Sequence, residues 1–238
     1  MVTLKLSASA TDRLMTCPGS ANLDLAIPGW QEPEEEEETG ARVKGHIWHD
    51  LFAQAANTTA RDMQRIGQAI EYVGAVRRRR RFKILVEEKV KAEWLKTAPS
   101  TIPDVVLYVK DELHIIDYKT GRIAVEVVKN PQLMYYARTV AHLAPDAKEV
   151  HLHIVQPWAD TMEEWVVSAK ELAEFALEVE RAEARILNKD LTLVPSDKGC
   201  LFCPANPHSR GLKGTPLCPV MMELLYPSEP MDLDEVLS

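Results

Sequence analysis

The sequence predicts an α/β domain: a mixed β-sheet built on one central hairpin, with helices on both faces and a cysteine-bearing C-terminal tail. Three observations carry that prediction. Two short β-branched runs, Val105–Val109 and Leu113–Ile116, are separated by the charged Lys110-Asp111-Glu112, the pattern of two antiparallel strands joined by a tight turn. Apolar residues recur at helical spacing before and after this hairpin, whereas Val150–Gln156 alternates in the manner of a strand. The four cysteines stand outside both patterns, Cys17 towards one end and Cys200, Cys203 and Cys218 towards the other.

Taken in order, Ser7, Ser9, Thr11 and Asp12 offer a helix start ahead of Cys17-Pro18-Gly19-Ser20. Pro33 and the acidic run Glu34–Glu38 make residues 28–38 a loop. Val43, Ile47, Leu51 and Phe52 then predict a helix over 39–56, with Gly45 and His49 on one face. Met63, Ile66, Ile70, Val73 and Val76 predict a second over 60–82. Phe82–Val90 reads as a strand carrying Glu87 and Glu88, and alternation lets only one of the two point inward. After the hairpin, Asn130 can cap a helix that has Pro131 at its first position, and that helix carries Gln132 and Tyr136 on one face. Val150–Gln156 and Glu164–Ser168 read as strands joined through a turn over 158–161. Leu172, Phe175, Ala176, Val179, Ala182 and Ile186 predict a long helix over 169–188.

At 238 residues the chain suits one α/β domain with an appendage. No apolar run approaches the ~20 residues of a membrane span, and no h-region follows Met1-Val2-Thr3-Leu4-Lys5. The expected compartment is therefore a reducing cytoplasm, with no membrane partner. A net charge of −8 argues against a generic polyanion binder. The local run Arg77–Arg81 is either a solvated helix end or a set of phosphate contacts.

With Lys110 and Asp111 as the turn, Val109 faces Glu112 and, counting back, Asp104 faces Asp117. Lys119 shares a side with Asp117, because side chains two apart in a strand do. Facing carboxylates repel unless a cation lies between them. Hard oxygen donors suit Mg²⁺ or Mn²⁺, which can polarise a phosphodiester and activate water, with a lysine stabilising that water or the developing charge. A surface hairpin with solvated ends is the plainer reading of the same residues. Asp/Glu-x-Lys also occurs at Glu87-Glu88-Lys89 and Asp146-Ala147-Lys148, but only Asp117 has both a strand and a partner acid.

Cys200-x-x-Cys203 with Cys17 and Cys218 uses every cysteine, and in a reducing compartment that pattern reads as metal ligation before disulfide. Zinc and a 4Fe–4S cluster both remain open on the residues alone.

These residues carry a resemblance. Pro103-Asp104, a hairpin and Asp117-Tyr118-Lys119-Thr120-Gly121 resemble the core of the PD-(D/E)XK nuclease superfamily, specifically its RecB-like branch. Gly45-His46-Ile47-Trp48-His49 upstream and Gln132-Leu133-Met134-Tyr135-Tyr136 downstream match that branch's further motifs in order. The resemblance implies a restriction-endonuclease-like fold, with Asp104, Asp117 and either Glu87 or Glu88 (Glu87 fitting the spacing slightly better) holding Mg²⁺ or Mn²⁺. Lys119 would position or activate the water, and His49, Gln132 and Tyr136 would support substrate or metal.

Iron–sulfur members of the branch, including AddB-type and CRISPR-associated nucleases, hold a cluster with one cysteine before the core and three after it. The resemblance so implies a 4Fe–4S cluster on Cys17, Cys200, Cys203 and Cys218. Here Asn206–Leu217 separates the last two cysteines and contains His208, which stands as a substitute for Cys218. The expected layout is one nuclease domain over 1–238, its core at 39–168 and its metal-bearing termini at 1–30 and 190–238. The expected function is metal-dependent exonuclease action on DNA with free ends in phage or bacterial recombination, replication or repair. A recombinase or single-strand-binding partner is possible in that setting, in the bacterial host cytoplasm if the chain is phage-encoded. The alternative is a non-catalytic nucleic-acid-binding or scaffolding protein on the same fold.

Overall fold

The computed structural model describes residues 6–27, 30, 68–77, 82–109, 111–156, 159–206 and 217–225. Its helices are α1 (Thr11–Thr16), α2 (Leu23–Ala26), α3 (Gln68–Arg77), α4 (Pro131–Val140), α5 (Ala169–Leu187), α6 (Asp197–Leu201) and α7 (Pro219–Leu225). Its strands are β1 (Phe82–Val86), β2 (Val90–Lys91), β3 (Ser100–Thr101), β4 (Val105–Val109), β5 (Glu112–Tyr118), β6 (Glu149–Gln156) and β7 (Thr161–Val167). Two compact units make up the chain, one assigned Met1–Leu6, Ala10–Glu34 and Val179–Ser238, the other Ser7–Ser9 and Glu35–Glu178.

The second unit holds a five-stranded mixed sheet in the order β1-β4-β5-β6-β7, with β2 and β3 paired separately. The hairpin has the register expected from its charged turn: Val109 opposite Glu112 and Val105 opposite Ile116. β6 runs parallel to β5 and antiparallel to β7. A parallel pair needs a crossover, and α4 lies in it. Alternation sorts the side chains of the sheet onto two faces. On one, Val105, Leu107, Val109, Ile116, Tyr118 and Val155 bury against Val73 of α3. The other face carries the buried Val106, Ile115, Leu152 and Ile154, and α4 packs over β5 and β6 with Leu133, Ala137 and Val140 fully buried.

Helix α4 starts as its sequence dictates. The Asn130 side chain accepts from the Leu133 amide at 3.2 Å, and Pro131, which has no N–H to satisfy, takes the first turn. The β2–β3 excursion supports the helix from outside. Trp94 donates from Nε1 to Thr139 Oγ1 at 3.2 Å, and its ring lies 5.4 Å from that of Tyr135.

The strand expected over Phe82–Val90 is shorter. β1 ends at Val86, and Glu87 turns into the left-handed region at φ 50° while its amide donates to the Asp104 carbonyl at 3.0 Å. The return strand β7 is longer than expected, starting at Thr161.

The first unit joins segments from the two parts of the sequence that carry the cysteines. After α1 the chain makes a short 3₁₀ turn over Pro18–Ala21, where the Gly19 amide donates to the Thr192 carbonyl at 3.0 Å. A Cβ at Gly19 would lie 2.6 Å from the Leu191 carbonyl oxygen, so only glycine lets these backbones approach. Leu23, Ile27, Cys203 and Ala205 form a small core with Leu193 and Cys218 against it. Among the described residues no helix is long and apolar enough to cross a membrane.

Candidate active site at the open end of the hairpin

The register that pairs Val105 with Ile116 brings Asp104 and Asp117 to the open end of the hairpin. Both are buried, 7% and 2% exposed. Asp104 Oδ2 accepts from the Tyr118 amide at 2.6 Å, so this carboxylate ties the two strand ends together. Asp117 Oδ1 accepts from Gln132 Nε2 at 3.1 Å, and Gln132 Oε1 receives a hydrogen bond from Lys119 Nζ at 2.9 Å. The orientation of the amide follows from its neighbours: an ammonium only donates and a carboxylate only accepts. Gln132 Nε2 also reaches Tyr136 Oη at 2.9 Å. Burial first, and then the Asp117 charge, push the Tyr136 hydroxyl well above its ordinary pKa, so it stays neutral.

Lys119 Nζ lies 2.9 Å from Asp117 Oδ2, an ion-pair distance. The approach is not aligned for a hydrogen bond, so Oδ2 is a buried carboxylate oxygen without one. An anionic oxygen in that state fits a hard divalent cation, and the donor set of two carboxylates beside a lysine suits Mg²⁺ or Mn²⁺.

The structure thus brings together Asp104, Asp117, Lys119, Gln132 and Tyr136. It does not gather Glu87 with them: among the described residues Glu87, Asp104 and Asp117 form no three-ligand group. Glu87 and Glu88 are both exposed, and the alternation argument that chose between them has no strand to act on, because β1 has already ended. His49, His208 and the Arg77–Arg81 side chains lie outside the described residues.

The four cysteines line one cavity, together with Arg13, Val194 and Pro195 among others, and none is in a disulfide. Cys17 Sγ accepts from the Val194 amide at 3.3 Å and Cys200 Sγ from the Ser196 amide at 3.4 Å. Burial raises the Cys203 thiol pKa, Cys17 and Cys200 add to that, and the neighbouring Arg13 opposes it. Arg13 donates to Ser20, to its carbonyl at 2.9 Å and its hydroxyl at 2.6 Å.

A family model described as "Protein of unknown function (DUF2800)" matches residues 52–217, more than half of the chain. The chain belongs to the DUF2800 family. Two solved structures give weaker matches to this DUF2800 chain. SSO0001 is 13% identical with a TM-score of 0.39, over 82% of this chain and 81% of its own. A protein from Eubacterium rectale, designated a candidate exonuclease, is 15% identical with a TM-score of 0.42, over 94% of each chain. Likeness this distant bears on neither chemistry nor substrate.

Sequence reasoning missed a second cluster, on the opposite face of the sheet, made by Glu112, His114, Glu149, His151 and His153. The signal was a repeated Glu-x-His, at Glu112-Leu113-His114 and Glu149-Val150-His151. Only the parallel register of β5 and β6 sets the two copies side by side.

Proposed function

We propose that this DUF2800 chain is a metal-dependent nuclease of the PD-(D/E)XK type that hydrolyses DNA phosphodiester bonds from free ends. One observation carries the reading: two buried carboxylates at adjoining strand ends, with Lys119 against Asp117 and one Asp117 oxygen lacking a hydrogen bond. Burying carboxylates is costly even where a lysine pairs with one of them, and a purely structural hairpin has no need of two.

Asp104 and Asp117 would hold Mg²⁺ or Mn²⁺, which supplies Lewis-acid polarisation of the phosphodiester and an acidified water. Lys119, held by Asp117 and Gln132, presents its ammonium where negative charge develops on the phosphate oxygens. Gln132 keeps lysine and carboxylate in register, and the neutral Tyr136 holds Gln132. Nothing in the sequence resembles a base-reading module, which favours action from ends over sequence-specific cutting.

The cysteine cavity we read as a 4Fe–4S site. A single tetrahedral zinc would space four thiolates about 3.8 Å apart, given Zn–S bonds of about 2.3 Å. No three of these sulfurs lie within 4.8 Å of one another. Four irons at the corners of a cluster hold their thiolates further apart, and amide donors to sulfur, as at Cys17 and Cys200, tune such centres.

The test is cleavage of linear and closed circular DNA with Mg²⁺, with Mn²⁺ and with chelator. Linear DNA should be degraded and circles spared. Asp117→Ala and Lys119→Ala should abolish cleavage, whereas Asp146→Ala should leave it unchanged. Wild-type protein that binds DNA but never cuts it with either ion would establish the non-catalytic, scaffolding alternative instead.

A further inference from the structure

The histidines of β5 and β6 lie on the sheet face opposite Asp117. The parallel register sets Glu112 beside Glu149, His114 beside His151 and Ile116 beside His153. The two Glu-x-His pairs therefore share one face and adjoin. The rings of His114 and His151 stack with centroids 4.5 Å apart. One ligand atom from each of Glu112, His114 and His151 lies within 4.8 Å of the others.

The Nδ1 atoms are committed elsewhere. His151 Nδ1 bonds Glu164, His114 Nδ1 meets His153 Nε2 at 3.0 Å, and His153 Nδ1 meets Tyr72 Oη at 2.9 Å. The Nε2 atoms are not: those of His114 and His151 are buried and make no hydrogen bond. Each nonetheless faces an acid, Glu112 at 3.4 Å and Glu149 at 3.3 Å. His114 is only 6% exposed.

The hydrogen-bond chain has two directions. Running outward from Tyr72, it ends with His114 Nε2–H aimed at Glu112 across a misaligned 3.4 Å contact. Running inward, His114 donates from Nδ1 to His153 and His153 donates to Tyr72, which leaves a lone pair on His114 Nε2. Glu164 orients His151 in the same way. In that direction two lone pairs confront two carboxylates, an arrangement that a bound metal cation relieves without adding protons to the rings. It is also how metal-bound histidines are held, one ring nitrogen on the ion and the other hydrogen-bonded behind it.

We propose that Glu112, His114 and His151, with Glu149 as fourth donor, form a Zn²⁺ site separate from the acidic site at Asp104 and Asp117. Imidazole with carboxylate suits zinc and not magnesium. Zinc ligands at about 2.0–2.2 Å in a tetrahedron stand about 3.3–3.6 Å apart, so the donors close in on binding. The two glutamates have room to do so, their side chains being 30% and 59% exposed. Glu112 opens β5 and Asp117 lies five residues on, about 17 Å away along the strand. Zinc here would clamp β5 to β6, the parallel pair behind the acidic site.

The test measures zinc uptake by chelator-stripped full-length protein titrated with ZnCl₂, with thermal melting alongside. Every variant keeps its cysteines, so any zinc they take cancels in the comparison. Wild type should bind one more Zn²⁺ per chain than His151→Asn, and zinc should raise its melting temperature more. Glu164→Gln should keep the stoichiometry and weaken affinity about 10–100-fold. Asp117→Ala should keep the extra zinc. Cu²⁺ used as a probe should give nitrogen hyperfine splitting in wild type that His151→Asn diminishes. Equal zinc uptake by wild type and a folded His151→Asn would overturn the proposal. If His151→Asn fails to fold, equal uptake by Glu112→Gln, at a partly exposed position, would overturn it as well. Loss of the extra zinc in a folded Asp117→Ala would overturn the separation of the two sites.

Discussion

Gln132 donates from Nε2 to Asp117 Oδ1 at 3.1 Å. Because its Oε1 accepts from Lys119, one amide sets the spacing between the acid and the lysine that the chemistry needs. Gln132→Met should therefore lower kcat for DNA cleavage about 100-fold with KM little changed, since an error of about 1 Å in a catalytic group costs that much. Gln132→Glu should not rescue it: a carboxylate beside Asp117 repels and cannot donate. Steady-state kinetics on linear DNA check both, and near-wild-type rates in Gln132→Met would remove Gln132 from the site.

How much of this was legible in the sequence depended on how local the signal was. The charged break at Lys110-Asp111-Glu112 defines the turn of the hairpin, and the turn defines the register, so the meeting of Asp104 with Asp117 could be counted out residue by residue. Asn130-Pro131 likewise marks the start of α4 by cap chemistry alone, and helical spacing then puts Gln132 and Tyr136 on one face. Glu87 could not be placed, because β1 ends at Val86, four residues short of the strand expected over Phe82–Val90, and at that end the Glu87 amide bonds the Asp104 carbonyl across the sheet. The histidine cluster was out of reach for a related reason. His114 and His151 are separated by the whole crossover, and nothing local states that β5 and β6 pair in parallel or in which register.

Trp94 seats α4 from outside through Thr139 and Tyr135. Trp94→Ala removes a hydrogen bond and an aromatic pair, and should cost about 2 kcal/mol in urea unfolding. Cleavage should fall with it, because α4 carries Gln132 and Tyr136. An unchanged unfolding midpoint would show that the excursion is not what holds the helix.

Gly19→Ala would place a methyl 2.6 Å from the Leu191 carbonyl oxygen and 2.9 Å from Leu193 Cδ2. Backbone cannot yield as a side-chain tip can, so a loss of about 1–3 kcal/mol is expected. Metal content should fall too, because Leu193 and Val194 line the cysteine cavity. Chemical unfolding and metal analysis of the variant read the two effects separately.

Asp190 anchors the same segment. Its side chain accepts from the Thr192 hydroxyl and amide and pairs with Arg185, bonds that bring its pKa from 3.8 to about 2. A carboxyl with a depressed native pKa contributes stability that is complete above its unfolded value and is lost as pH falls through its folded one. Melting temperature should therefore drop between about pH 4 and pH 2 in wild type, and by less over the same window in Asp190→Ala. Parallel pH profiles for the two proteins would assign the acid sensitivity to other groups.

The last prediction concerns the proposed cluster and the arginine beside it. Cys17 and Cys200 stand more than 180 residues apart in the chain, so a shared metal closes a very long loop and removes much of the unfolded chain's freedom, by the logic used for disulfides. Cys17→Ser should lower solubility and melting temperature, and should reduce cleavage only through misfolding. Arg13 lies among the same thiols, and burial lowers its pKa while Cys203 and Cys17 act to raise it. Burial is the larger effect, so Arg13 is a cation that gains from added negative charge beside it. A bound cluster with four thiolates carries net negative charge, so Arg13→Met should weaken retention of iron while leaving all four cysteines in place. Protein purified without oxygen should be brown and contain iron and sulfide, and Arg13→Met should bleach faster on exposure to air. A colourless wild type holding one zinc would replace the iron and keep the clamp. Absence of any metal, with Cys17→Ser as stable as wild type, would remove the clamp altogether.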